Sequence, residues 1–268
     1  MVKKGILLKL DRLKNILRNM GAVVIAYSGG VDSSFLLKVA KDALGENVLA
    51  VTAVSPTYTQ RELEIAKDFT KKQMVRHLII KTAEYKNPLF RKNTILRCYW
   101  CKRELFLKLK EIAKRYRINY IIDGTNYDDL KDFRPGEKAK KELGVVSPLQ
   151  EAKLRKEEIR ELSKKLRLST YNSPTRACLA SRIPYGEKID IYKLKRIEKG
   201  ENFLFGLGFK QARVRDYTDL VRIEVEKENI SLLVKNSSKV TSFFKKLGFF
   251  YVTVDLEGYR QGSMNLVK

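Results

Sequence analysis

The chain has 268 residues, and 55 Lys and Arg against 31 Asp and Glu give it a formal net charge of +24. With 44% hydrophobic and 10% aromatic residues it can build a packed core, which excludes a disordered basic tail or a low-complexity chain. No run approaches the ~18–20 apolar residues of a membrane span, and Lys9, Asp11, Arg12 and Lys14 break any signal-peptide core, so a soluble cytoplasmic protein is expected. The charge points to an anionic partner without saying which. Much of it is mixed with acids, as in residues 151–168, where seven basic residues accompany four Glu in the manner of a solvated helix face. Abundant Lys and Glu with a single His also fit a thermophile's surface.

Periodicity predicts an opening helix over Lys9–Asn19, then a buried strand Ala22–Tyr27. A helix Asp32–Ala43, a strand Val48–Val54 and a helix Thr59–Gln73 follow. Short apolar runs at His77–Ile80 and Tyr120–Ile122 are separated by a helix over Cys101–Tyr116. Apolar strands alternating with helices predict an α/β fold with a parallel sheet, whose ligands sit at the carboxyl ends of the strands. After a helix Lys156–Leu166 the pattern changes. Ser169–Lys188, with Pro174, Pro184 and Gly186, reads as a linker. A helix Ile189–Leu207, strands Gln211–Asp216 and Val221–Glu226, a helical stretch Asn229–Leu247 and a strand Phe249–Asp255 then predict a smaller α+β domain. The expected division is a domain at 1–172 and another at 173–268.

The clearest motif is Ser28-Gly29-Gly30-Val31-Asp32-Ser33-Ser34, set between a strand and a helix. The glycines allow close backbone approach, the serines add hydroxyls, and the helix N-terminus aims N–H groups into the loop. That is a phosphate cradle, and without a following Gly-Lys-Ser/Thr it is not a Walker A loop. It resembles the PP-loop of the N-type ATP pyrophosphatases. The resemblance implies that the loop grips the β,γ-pyrophosphate and that Asp32 holds Mg²⁺ while a substrate oxygen attacks the α-phosphorus.

Three cysteines form the second constellation: Cys98 and Cys101 in a CxxC, and Cys178 far downstream. A CxxC in a reducing compartment points to metal or redox work. Three thiolates are one short of a zinc tetrahedron, with His77 either a fourth ligand or an ordinary edge residue. They also suit a [4Fe–4S] cluster with one open iron. Unrelated free thiols are the plain alternative. Arg213 and Arg215, two apart on a strand, share a face and suit a phosphate or carboxylate; the competing reading is a cross-strand ladder with Glu224.

Taken in order, further segments make a specific pattern: Arg97-Cys98-Tyr99 with Cys101-Lys102, Asp123-Gly124-Thr125-Asn126 with Asp128-Asp129, and Ser147-Pro148-Leu149. Cys178-Leu179-Ala180-Ser181-Arg182, Arg213-Val214-Arg215, Arg222-Ile223-Glu224-Val225 and the tail from Asp255 to Ser263 complete it. The sequence resembles the LarE family, PP-loop sulfur transferases of nickel-pincer nucleotide cofactor biosynthesis. The resemblance implies adenylation of a carboxylate of pyridinium-3,5-biscarboxylic acid mononucleotide, then displacement of AMP by sulfur to give a thiocarboxylate. It implies ATP and Mg²⁺ held by residues 28–34 with Thr52, Gly124, Asn126 and Asp129, and catalytic roles for Asp32, Lys102 and Cys178. It implies a substrate site of Ser181, Arg182, Arg213, Arg215 and Glu224, and a homo-oligomer without membrane or nucleic-acid partner. In one branch of the family the cysteine matching Cys178 gives up its own sulfur; the set Cys98, Cys101 and Cys178 favours the branch that carries sulfide on a [4Fe–4S] cluster. The physiological sulfide donor is not legible. A tRNA-thiolating PP-loop enzyme is the rival favoured by the charge, but no paired CxxC modules and no RNA-binding domain ahead of the loop accompany it. A non-catalytic nucleotide-binding protein is the third reading.

Overall fold

The computed structural model describes residues 4–131, 135–174, 177–260 and 262–265. The chain forms two compact units, Met1–Glu84 with Cys98–Arg176, and Tyr85–Arg97 with Ala177–Lys268. In the first, α1 (Lys4–Met20) leads to β1 (Val23–Ala26), α2 (Val31–Leu44), β2 (Val48–Val54), α3 (Gln60–Lys72) and β3 (Arg76–Lys81). The chain enters the second unit for α4 (Pro88–Arg91). It returns along α5 (Arg97–Arg115) to β4 (Tyr120–Asp123), α6 (Gly136–Leu143), α7 (Pro148–Glu151) and α8 (Lys156–Lys165).

The four strands are all parallel, in the order β3-β2-β1-β4. Successive side chains leave a strand on opposite faces. Val23 and Ile25 therefore enter a core with Phe35, Leu37, Leu149 and Ile159, while Val24, Leu49 and Val51 enter another with Phe106 and Leu109. Helices cover both faces, which is why these strands read as unbroken apolar runs. The N-terminus of α3 is closed by a reciprocal cap: Glu62 N–H donates to Thr59 Oγ1 at 3.2 Å, and Thr59 N–H to Glu62 Oε2 at 3.1 Å. Such a cap contributes about 1 kcal/mol. The strand order places β2 on one side of β1 and β4 on the other. This switch point directs ligands to the carboxyl ends of β1 and β4.

In the second unit, Cys178 precedes a 3₁₀ turn, Leu179–Arg182, followed by α9 (Ile191–Gly206), β5 (Ala212–Tyr217) and β6 (Leu220–Val225). Next come α10 (Ile230–Lys235), α11 (Ser237–Lys246) and β7 (Tyr251–Val254). β5 and β6 are antiparallel, and β7 joins β6 in parallel to complete a sheet in the order β5-β6-β7. A buried ion pair ties α9 to the hairpin: Arg196 Nε and Nη2 each donate to an Asp216 carboxylate oxygen at 2.5 Å. The same guanidinium lies 3.9 Å from the Phe249 ring centroid.

The α/β class with a parallel sheet and a smaller second sheet matches the sequence expectation. Local features differ: the helices α4, α6 and α7 were not expected, and two stretches fold otherwise than read. The single helical stretch expected over 229–247 is two helices, parted at Asn236, whose side-chain amide donates to Leu232 O at 2.9 Å. α5 begins at Arg97, so the CxxC lies inside its first turns rather than ahead of the helix. Among the described residues no helix is long and apolar enough to cross a membrane.

Candidate functional site

The loop 28–30 joins β1 to α2. Gly29 adopts φ +72°, the left-handed conformation that glycine takes without strain, while Gly30 at φ −75° caps α2. Ser28 is exposed, with Oγ 3.1 Å from Ser33 Oγ; Ser33 Oγ also donates to Gly30 O at 3.2 Å. Tyr58 OH donates to Ser28 O at 2.9 Å and holds the loop from outside. Ser34, unlike the exposed Ser28, is fully buried, its Oγ 3.2 Å from Tyr27 OH. Thr52 is likewise buried, donating to Tyr27 O at 2.9 Å, with His77 Nε2 2.8 Å from its Oγ1. His77 Nδ1 lies 3.0 Å from Thr70 Oγ1, so this histidine is satisfied by two threonines, as an ordinary edge residue would be. Val31 is buried as the first residue of α2.

Asp32 divides its carboxylate. Oδ2 accepts from Lys156 Nζ at 2.6 Å, whereas Oδ1 is buried without a hydrogen-bond partner. An orphaned carboxylate oxygen at a helix N-terminus is a ligand that a hard cation would take.

β4 delivers the other side of the site. Gly124 sits so close to α2 that a Cβ there would lie 2.9 Å from Ser33 N. Asp123 is 4% exposed and accepts from Ser147 Oγ at 2.5 Å, from Thr125 Oγ1 at 2.7 Å and from Thr125 N at 3.2 Å. Lys140 Nζ, also buried, donates to Ser147 Oγ at 2.9 Å. Lys102 Nζ stands 3.8 Å from Asp123 Oδ2. Burial pushes the Asp123 carboxyl up, but Lys102, Lys140 and the Ser147 and Thr125 hydrogen bonds outweigh it and hold the pKa below the usual carboxylate value. Asn126 and Asp129 close the following turn: Asp129 Oδ2 accepts from Asn126 N at 3.0 Å, and Asn126 Oδ1 from Asp128 N at 2.9 Å.

Cys98 is exposed and Cys101 half-buried; they are three residues apart and so on one face of α5. Cys178 belongs to the second unit and is also half-buried. Among the described residues no group of three or more His, Cys, Asp and Glu side chains is gathered as a metal centre requires.

The second unit concentrates buried arginines. Arg182 holds Glu201 through Nε at 2.9 Å and Nη2 at 3.1 Å, and its Nη1 donates to Cys178 O at 2.9 Å and Ser181 Oγ at 3.0 Å. Arg215 grips Glu224 at 2.9 and 2.6 Å and also donates to Ser181 O and Ser263 Oγ. The ladder with Glu224 is therefore present. Arg213 donates to Ala212 O at 2.8 Å and lies over the Tyr259 ring. Burial first, then the neighbouring Arg182 charge, pushes the Arg213 pKa down. An anion beside it would relieve both effects.

The contacts of Asp123, Ser147, Lys140 and Lys156 are features of the fold rather than of any one motif. Asp123 and Ser147 stood in recognisable motifs; Lys140 and Lys156 carry no local signal, since only the folded chain brings them to Ser147 and Asp32.

A family model described as queuosine biosynthesis protein QueC matches residues 22–97, which contain the nucleotide loop. The chain is 44% identical to an uncharacterized protein of Synechocystis sp. (strain PCC 6803) over 97% of each chain. It is 34% identical to the pyridinium-3,5-bisthiocarboxylic acid mononucleotide synthase of Lactiplantibacillus plantarum, over 93% of this chain and 91% of that one. A more distant likeness, 28% identity over 55% of this chain and 52% of the relative, is to one subunit of the glutamine-hydrolyzing GMP synthase of Archaeoglobus fulgidus.

Proposed function

The chain belongs to the LarE family, and from that premise we propose that it is an ATP-dependent sulfur transferase that converts a carboxylate of pyridinium-3,5-biscarboxylic acid mononucleotide into a thiocarboxylate. The observation that carries this reading is the end-to-end likeness to the bisthiocarboxylic acid mononucleotide synthase, which takes in the nucleotide loop and the arginine cluster alike.

The chemistry divides into two displacements. A carboxylate oxygen of the substrate attacks the α-phosphorus of ATP, the bond to the bridging oxygen breaks, and pyrophosphate leaves. A sulfur nucleophile then attacks the acyl carbon and AMP departs with the bonding electrons. Activation is needed because a carboxylate is a poor acylating agent and AMP a good leaving group.

The loop 28–30 and the first N–H groups of α2 hold the β,γ-phosphates, with Ser28 and Ser33 hydroxyls beside them. Asp32 Oδ1 suits Mg²⁺, which when bound neutralises charge on the leaving pyrophosphate. Lys102 supplies positive charge for the α-phosphate, and Thr52, Gly124, Asn126 and Asp129 shape the nucleotide side. Arg213 and Arg215, with Ser181, Arg182 and Glu224, bind the substrate's phosphate and carboxylate groups.

The donor chemistry of Cys98, Cys101 and Cys178 suits a [4Fe–4S] cluster, which when bound supplies an iron site for exchangeable sulfide. Anaerobically prepared protein then holds iron and acid-labile sulfide in equal amounts, and Cys98→Ala loses both. Iron-free protein whose Cys178 loses the mass of hydrogen sulfide during turnover would replace the cluster with sacrificial use of that cysteine. The function itself is tested by pyrophosphate release: it should require the dicarboxylate nucleotide, and release that tRNA stimulates instead would overturn the reading.

A further inference from the structure

Asp123 and Ser147 lie 24 residues apart and meet because residues 145–147 run beside β4: Asp123 N donates to Val146 O at 3.0 Å and Val146 N to Ile121 O at 2.9 Å. The hydrogen bonds that reach the Asp123 carboxylate come from fixed neighbours, through Ser147 Oγ, Thr125 Oγ1 and Thr125 N. Lys102 is left at 3.8 Å from Oδ2, within reach of its charge and outside hydrogen-bond distance. The lysine stem has a defined course as well. A Cβ on Gly136 would come 3.0 Å from Lys102 Cγ, and the ammonium lies 5.1 Å from the Phe106 ring centroid. Lys140 stands behind Ser147 as a second buried cation and is itself paired with Glu137 at 2.5 Å. One residue beyond Asp123, Gly124 is in backbone contact with the N-terminus of α2.

We propose that Asp123 is a positioning residue for Lys102: a carboxylate fixed by Ser147, Thr125 and Lys140 that holds the lysine ammonium beside the nucleotide loop without bonding it. The ammonium is thereby attracted toward the carboxyl end of β4, where Asp123 lies, and remains able to shift onto an α-phosphate oxygen. A carboxylate with free lone pairs would form a direct hydrogen bond and compete with the nucleotide. Thr125 Oγ1 takes up Oδ2, the oxygen that faces Lys102, while Ser147 Oγ and Thr125 N hold Oδ1 and Lys140 backs Ser147. The proposal rests on the nucleotide chemistry given above and adds to it a fixed path for the lysine.

The test is a double-mutant cycle on Asp123 and Lys102, read both by single-turnover pyrophosphate release and by the calorimetric affinity for Mg·ATP. Asp123→Asn keeps the shape and removes the charge. It should slow release by about 10- to 100-fold in the wild-type background. In the Lys102→Met background the same substitution should change the rate by less than about twofold. Ser147→Ala should lose activity in the same direction, also only when Lys102 is present. Equal losses from Asp123→Asn in both backgrounds would overturn the proposal, because Asp123 would then act independently of Lys102. If wild-type protein binds Mg·ATP yet releases no pyrophosphate with the dicarboxylate nucleotide, the reading of function fails instead. The cycle is then decided on affinity alone, where non-additivity supports the positioning role and additivity refutes it.

Discussion

Asp32 gives one carboxylate oxygen to Lys156 at 2.6 Å and keeps the other buried without a hydrogen-bond partner. Such an oxygen costs free energy unless something electropositive meets it when the site is filled. Asp32→Asn, which preserves the shape, should therefore lower pyrophosphate formation by about 100-fold or more and abolish its dependence on Mg²⁺ concentration. Initial rates across a Mg²⁺ titration check this, and an unchanged titration curve would remove Asp32 from metal binding.

Arg213 is the sharper probe of the substrate site, because Arg215 is gripped bidentately by the buried Glu224 and its removal would strand that carboxylate. Arg213→Gln should raise the KM for the dicarboxylate nucleotide by about 10- to 100-fold, the value of one or two charge-assisted hydrogen bonds, and leave the KM for ATP nearly unchanged. Equal effects on the two substrates would assign Arg213 to structure.

The Arg196–Asp216 pair is buried on both sides and holds α9 against the β5–β6 hairpin. Replacing one partner leaves the other charge buried, so Asp216→Asn should cost about 3–5 kcal/mol of stability, measured by urea unfolding. A loss under about 1 kcal/mol would mean that water or another group takes the place of the carboxylate.

Burial, reinforced by the Lys67 charge, lowers the pKa of His77 below its ordinary 6.5. The native state then binds this proton more weakly than the unfolded chain. The stabilisation is complete above about pH 6.5 and is lost as the pH falls from there through the folded pKa. His77 is the chain's one histidine, so a proton NMR titration reads it directly and should give a midpoint under 6.5. His77→Gln should flatten the dependence of the urea midpoint between about pH 7 and 5.

The first unit was legible where strands are buried on both faces: β2 spans Val48–Val54, the apolar run read from the sequence. The start of α5 was not, because Arg97-Cys98-Tyr99-Trp100 offers no capping residue and only the fold reveals that the helix begins there. The short helices α4, α6 and α7 span too few turns to show a period. At the site, the loop 28–34 was readable because glycine, serine and helix-start chemistry are all local. The Lys140–Ser147–Asp123 chain was not, because it depends on residues 145–147 pairing beside β4. Arg215 and Glu224 show the same limit: alternation gave the face of each residue, and the strand register decided which partners meet.

Sulfur insertion driven by adenylation changes the mass of the substrate, which mass spectrometry of the products reads. Protein prepared anaerobically with iron and sulfide should be incubated with Mg·ATP and pyridinium-3,5-biscarboxylic acid mononucleotide. AMP should appear together with a product in which a carboxylate oxygen is replaced by sulfur, in equal amounts. AMP formed without any sulfur-containing product, or ATP left intact in the presence of the dicarboxylate, would contradict adenylation-driven sulfur insertion.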